Sequence, residues 1–217
     1  MWIIIIILVV LLVYLKFVLH LSIKYKSFFH KGFAPKRGDF GVYCYCGKQG
    51  KGKTYSVIEF LMNNRDKEIY CNIPNIKNLD YTYFSGFDNL LSLRDKHDCI
   101  IVYDEIFTAL TRSSKLNTDV LDFLSQMRKR QIIFLTTAQE WLEINITLRR
   151  YCRYQIECNM INFFGFGFLI KSFYDAERMK WDNDSNEYIA PIKSLTLSKC
   201  NKYIANSYDT NAQITGK

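Results

Sequence analysis

The chain opens on an unbroken apolar run, MWIIIIILVVLLVYL, which continues past Lys16 and His20 to about Ile23. A membrane-crossing helix takes about 20 mainly apolar residues, so the pattern predicts a transmembrane anchor over 1–23. Lys16 is long enough to snorkel if the span is short or tilted. A core helix would show a polar stripe, and this run has none. No basic residue precedes it and no small-residue cleavage site follows it, which argues against a cleaved signal. The next stretch, KYKSFFHKGFAPKRG, carries Lys24, Lys26, Lys31, Lys36 and Arg37. With Pro35 and Gly38 it reads as a basic juxtamembrane linker over 24–39. A basic flank on one side only places the N-terminus outside and the rest of the chain in the cytoplasm.

Beyond the linker the pattern becomes that of a folded domain, expected over 40–200, followed by a polar, loosely held tail over 201–217. FGVYCYC (Phe40–Cys46) mixes β-branched, aromatic and small apolar residues, which predicts a buried strand. YSVIEFLMNN predicts a helix ending near Asn63 and Asn64. Ile100, Ile101, Val102 and Tyr103 form a second short apolar run. Val120, Leu121, Leu124 and Met127 have helical spacing, and Arg128, Lys129 and Arg130 close that helix, where basic residues suit the dipole. QIIFLTTAQE (Gln131–Glu140) predicts another strand. Met160–Ile170 is apolar but too short to span a membrane, and reads as a strand pair. Strands and turns follow from residue 171. Strands alternating with helices predict an α/β, three-layer domain, and GKQGKGKT (Gly47–Thr54) between the first strand and the helix after it makes this a P-loop NTPase domain. Its sheet is expected to be mainly parallel, with right-handed crossovers and helices on both faces.

The first strand runs straight into GKQGKGKT (Gly47–Thr54), which matches GxxxxGK[ST] between a strand and a helix, the context this motif requires. Glycines let the backbone wrap so that successive N–H groups point at a phosphate, and the helix N-terminus adds its dipole. The residues expected to bind ATP are Gly47, Lys48, Gln49, Gly50, Lys51, Gly52, Lys53, Thr54 and Tyr55. Lys53 would reach the β- and γ-phosphates, and Thr54 would offer its hydroxyl to Mg²⁺. The second apolar run ends in Asp104 and Glu105. Asp104 is expected beside the Mg²⁺, and Glu105 is expected to orient or deprotonate the attacking water. The adjacent pair favours an ATPase over a kinase. The third strand ends in Thr136, Thr137 and Gln139, polar groups placed to touch both γ-phosphate and water, and Gln139 is the candidate sensor. In open α/β sheets such strand ends share the rim where ligands bind.

The net charge of +8 favours phosphate-bearing partners, nucleic acid or anionic lipid, without choosing between them, and part of it only flanks the apolar segment. The seven cysteines show no CxxC pair, so they read as buried hydrophobes in a reducing compartment and not as a disulfide frame or zinc site.

Four stretches together resemble the zonula occludens toxin-like family, the filamentous-phage assembly ATPases of the FtsK/HerA group of P-loop motors. They are GKQGKGKTYS, IYCNIPNI (Ile69–Ile76), IIVYDEIF, and MRKRQIIFLTTAQ followed by LRRYCRY. Their order and spacing agree from about residue 40 to 160. The P-loop is specific only to the superfamily, whereas Asn72-Ile73-Pro74 with the basic helix and Gln139 is more diagnostic. The resemblance implies Lys53 and Thr54 on nucleotide and metal, Asp104 and Glu105 as the acidic pair, and Gln139 as the strand-end sensor. It also implies a single-pass protein of the host cell membrane that hydrolyses ATP to extrude single-stranded phage DNA. Coat proteins and lipid would be its partners, and a homo-oligomeric ring its working form. Arg112, Arg128, Arg149 and Arg150 are all candidates to reach a neighbouring subunit's site. The chain departs from the family pattern in its N-terminal anchor and in the short region after NFFGFGF. Two rivals remain: a conjugation-type DNA-coupling ATPase, usually much longer, and an ATP-binding assembly scaffold without sustained hydrolysis.

Overall fold

The computed structural model describes residues 2–17, 40–112, 115–163, 166–183 and 187–209. An apolar helix, α1 (Trp2–Phe17), comes first, and its side chains from Trp2 to Val13 are all exposed. Its 16 residues give a length of about 24 Å, short of the roughly 30 Å hydrocarbon core. Among the described residues no helix is long and apolar enough to cross a membrane. The rest of the expected span, 18–23, and the linker 24–39 lie outside the described residues.

The domain is built on β1 (Gly41–Cys46), whose six residues are all buried. A strand apolar on both faces belongs in the middle of a sheet with both faces covered. The chain continues through α2 (Lys53–Asn63), β2 (Glu68–Cys71), β3 (Thr82–Tyr83), α3 (Phe87–Ser92), β4 (Cys99–Tyr103), α4 (Thr118–Gln126), β5 (Ile133–Ala138) and α5 (Ile146–Tyr151). Two long strands follow, β6 (Cys152–Phe163) and β7 (Phe166–Asp175). The short pair β8 (Lys180–Asp182) and β9 (Glu187–Ile189), the strand β10 (Ile192–Lys199) and the one-turn helix α6 (Lys202–Ala205) complete it. The main sheet runs β10-β7-β6-β1-β5-β4-β2-β3. Its β6-β1-β5-β4-β2-β3 part is parallel throughout, and β7 and β10 add antiparallel strands at one side. Of the apolar stretch 160–170, residues 160–163 on β6 pair antiparallel with 166–169 on β7, and residues 164–165 lie outside the described residues.

Period-two alternation divides the core. Val42, Cys44 and Cys46 face one way and pack with α4 and α5 through Val120, Phe123, Leu124 and Leu148. Tyr43 and Tyr45 face the other way and pack with α2 through Val57, Ile58, Phe60 and Leu61. This is the expected helix-on-sheet-on-helix arrangement. Two expectations need adjustment. The basic residues Arg128–Arg130 follow α4 in a turn instead of closing it, because that helix ends at Gln126. Residues 201–209 are part of the packed domain. Ile204 is buried, Asn201 N–H donates to the Tyr55 hydroxyl at 2.7 Å, and Lys77 N–H donates to the Ser207 carbonyl at 2.7 Å. Residues 210–217 lie outside the described residues.

One ion pair locks α2 to the antiparallel side of the sheet. Lys171 on β7 donates to Glu59 on α2 at 2.5 Å, and the two side chains are only 4% and 6% exposed. Breaking a buried pair from one side leaves an uncompensated charge, whereas removing both partners is far milder. Lys171→Met alone is expected to lower unfolding free energy by about 3–5 kcal/mol, and Glu59→Leu with Lys171→Met to recover most of it. Urea denaturation of the four-protein cycle measures this; additive losses would contradict it.

Candidate active site

The residues picked out in the sequence meet at the C-terminal rim of the parallel strands. The loop leaves β1 at Gly47, where φ is +150° and an added Cβ would stand 2.7 Å from the Cys158 carbonyl on β6. It enters α2 through Gly52, at φ +85°, where a Cβ would stand 2.9 Å from both Leu169 and Met160. The β6–β7 hairpin presses on the loop at both points, so only glycine fits either without displacing a neighbour. Gly52 caps α2 with no side-chain hydrogen bond. The first-turn N–H groups are therefore not satisfied by a cap, and such a terminus suits an anion.

Lys53 folds over the loop, its ammonium donating to the Gly47 carbonyl at 2.6 Å and the Lys48 carbonyl at 3.2 Å. Lys48, Gln49 and Gly50 form its exposed outer turn. Lys51 is held aside by the Asn159 side chain at 3.0 Å. Tyr55 turns its side chain into the core and leaves only its backbone for a ligand: the residue is 3% exposed, its hydroxyl accepts from Asn201 N–H, and burial pushes the phenol up.

Strand β5 lies between β1 and β4, which sets the acid pair opposite the loop. The Thr54 hydroxyl donates to Asp104 Oδ2 at 3.2 Å across 50 positions of sequence. The Thr137 hydroxyl, at the end of β5, donates to Asp104 Oδ1 and accepts from Glu105 N–H at 2.8 Å. The Asn72 side chain accepts from Asp104 N–H at 2.7 Å and donates to the Asp104 carbonyl at 3.2 Å. Glu105 is half-buried in the left-handed region, at φ 57° and ψ 49°, a conformation that costs a non-glycine residue about 1–2 kcal/mol. The Thr108 N–H and hydroxyl both close onto its carbonyl, at 3.0 and 2.9 Å.

Asp104 is 3% exposed. Burial raises its carboxyl above the usual range, the Thr137 hydrogen bond opposes this, the Glu105 charge adds to it, and Thr54 and Lys53 pull it back. A thiol-free pairing of one hydroxyl and one carboxylate, Thr54 and Asp104, suits a hard cation that takes its other ligands from phosphate and water. The half-buried phenol of Tyr208 is pushed up to about 12, first by burial and then by the Asp104 charge. Tyr208 packs against the apolar cluster on the α2 side of the sheet, although the sequence had assigned it to the tail.

Gln139 is exposed; its carbonyl accepts from Gly47 N–H at 3.2 Å. It lines a cavity of about 530 Å³ beside the loop, with Lys48, Trp141, Gln155 and Glu157 on the walls. The strand-end residue that touches the acid pair is thus Thr137. Sequence reasoning placed Thr137 at the strand end without singling it out, and it gave Asn72 no role. Of the candidate arginines, Arg128 pairs with Glu177 beside Gly41, at the far end of β1, and Arg149 is 8% exposed. Arg112 and Arg150 are exposed.

Fold and site together define the class: an α/β protein with the P-loop NTPase architecture. No family model matches the chain, and no curated protein matches it. Among solved structures the chain shares its fold with the N-terminal domain of zonular occludens toxin from Neisseria meningitidis. The two are 17% identical with a TM-score of 0.52, covering 78% of this chain and 98% of that one. A looser likeness is to the genome packaging NTPase B204 from Sulfolobus turreted icosahedral virus 2 in complex with AMPPCP. Identity there is 10% and the TM-score 0.48, over 70% of this chain and 96% of that one. The DNA-packaging ATPase B204 from Sulfolobus turreted icosahedral virus gives 11% identity and a TM-score of 0.48, over the same shares of the chains.

Without a cation beside it, the Asp104 charge destabilises the folded chain. A raised carboxyl means that this loss is present above the folded-state value and lifts as pH falls through it. Asp104→Asn is therefore expected to raise the melting temperature of the metal-free protein by about 2–4 °C. A thermal melt at pH 7 in chelator measures it, and a lowered melting temperature would contradict the assignment of burial as the dominant influence on Asp104.

Proposed function

We propose that this chain is an ATP hydrolase that works at a membrane in the assembly and export of phage. The observation that carries the hydrolytic part is the convergence of Lys53, Thr54, Asp104 and Glu105 on one rim, with Thr137 bridging the two acids. Gly47, Gly50 and Gly52 shape the loop, and the uncapped turn at Lys53, Thr54 and Tyr55 presents backbone N–H groups to phosphate oxygens. Lys53 swings from the loop carbonyls to the β- and γ-phosphates. Thr54 and Asp104 would hold Mg²⁺, which supplies charge neutralisation on those phosphates. Glu105 orients the attacking water and accepts its proton. Thr137 fixes Glu105 through its backbone, and Gln139, at the base of the loop, senses the γ-phosphate.

The biological setting rests on the resemblance and on the N-terminal segment. Phage assembly is what the four-stretch sequence resemblance implies, and the fold shared with the zonular occludens toxin domain agrees with that resemblance. The exposed apolar face of α1 and the basic stretch at 24–37 agree with a single-pass anchor, N-terminus outside, lying against anionic lipid. Single-stranded phage DNA as cargo, coat proteins as partners and a ring of identical subunits complete the reading.

The test is ATP turnover by the full chain in lipid vesicles, with and without single-stranded DNA. Turnover stimulated by DNA is expected. Glu105→Gln should retain nucleotide binding and lose about 10²–10⁴-fold in turnover, and Lys53→Ala should lose nucleotide affinity. DNA binding should weaken steeply with salt. Binding without turnover in the unaltered protein would instead favour an assembly scaffold. A flat salt response would assign the positive charge to lipid.

A further inference from the structure

We infer that Asn72 is a positioning residue for hydrolysis, holding Glu105 in its working conformation through the Asp104 backbone; this rests on the reading of Glu105 given above. Asn72 stands one residue past the end of β2, whose last paired residue, Cys71, is opposite Val102. Its own N–H reaches back to the Val102 carbonyl at 3.3 Å, and there the ladder stops. Asp104 lies just beyond β4, so its N–H and C=O have no strand partner, yet the residue is buried. Buried backbone groups need partners. The Asn72 carboxamide supplies both at once, Oδ1 to Asp104 N–H and Nδ2 to the Asp104 carbonyl, so a side chain continues the sheet for one more residue. Asn72 is itself 3% exposed, which leaves its amide no competing solvent.

The consequence falls on the next residue. Glu105 is left-handed, a conformation disfavoured for glutamate, and it persists only where neighbours over-determine it. Two grips do so from opposite sides: Asn72 from β2 on the Asp104 peptide groups, and Thr137 from β5 on the Glu105 N–H. With the Asn72 grip removed, the Asp104–Glu105 turn is free to relax toward ordinary backbone, and the Glu105 carboxylate swings away from the water it orients. A misplacement of about 1 Å costs on the order of 10²-fold in rate. Asn72 bonds only the backbone of Asp104; the Asp104 carboxylate stays held by the Thr54 and Thr137 hydroxyls and Lys53 by the loop carbonyls, so nucleotide binding is left in place.

The test is a double-mutant cycle on the full chain. Asn72→Ala should lower turnover about ten- to a hundredfold while affinity for a non-hydrolysable ATP analogue stays within about twofold. In the Glu105→Gln background the same change should add little, because Asn72 acts through Glu105. Asn72→Ser, which keeps a hydroxyl too short to span both groups, gives the same comparison if the alanine variant fails to fold. Equal fractional losses in both backgrounds, unchanged turnover, or a parallel loss of analogue binding would overturn the inference. Absence of turnover in the unaltered protein would instead remove the hydrolytic reading and the positioning role with it.

Discussion

The rim of this sheet is organised around one difficulty, a carboxylate buried at the end of a strand. An isolated charge there costs several kcal/mol, and Asp104 is 3% exposed. Two hydroxyl donors and the nearby Lys53 offset part of that cost. None of these comes from the strand that carries Asp104. They arrive because β5 is interposed between β1 and β4. One intervening strand sets the loop strand and the acid strand two spacings apart, about 9–10 Å. That gap is wide enough for a phosphate to sit over β5, and Thr54 closes it from the loop side. A different strand order would leave the same residues in the chain and no site.

The parts of this arrangement that were legible in the sequence are those written in consecutive residues. The strand, the loop from Gly47 to Thr54 and the helix after it are contiguous, and their glycines answer to local backbone needs. The pair Asp104–Glu105 is marked by the apolar run before it. The α/β class follows from alternation of the two periodicities. What the sequence hid depends on pairing at a distance. Asn72 stood out only as part of the Asn72-Ile73-Pro74 stretch, and its grip on Asp104, 32 positions away, leaves no mark in the sequence. Choosing Thr137 over Gln139 at the strand end requires knowing which residue points toward β4. Tyr208 and Ile204 sit in a polar stretch whose composition suggests looseness, and single anchors such as one buried isoleucine leave no periodic signal. The position of β5 between β1 and β4 is likewise invisible without the ladder itself.

The N-terminus poses a separate problem. From Trp2 to Val13 every side chain of α1 is exposed, a surface that water does not stabilise. Larger exposed apolar surfaces mark membrane or partner contacts. Under the membrane reading, lipid removes that surface from water, and the basic stretch from Lys24 to Arg37 gains about 1 kcal/mol per residue held near an anionic headgroup layer. The charge of the chain then divides into a portion that serves lipid and a portion that serves the domain.

The domain's own basic cluster, Arg128–Arg130, lies at the opposite end of β1 from the loop, beside Gly41. Its arginines pair with Glu177 and Asp95. These ion pairs do not close the cluster to a polyanion. Exposed pairs contribute only about 0.2–1 kcal/mol, whereas each phosphate neutralised on a nucleic acid releases condensed counterions. The basic turn also leads directly into β5 through Gln131 and Ile132, and β5 ends at Thr137 and Ala138 against the acid pair and the loop. A single buried strand therefore joins the positively charged rim to the hydroxyl that holds Glu105.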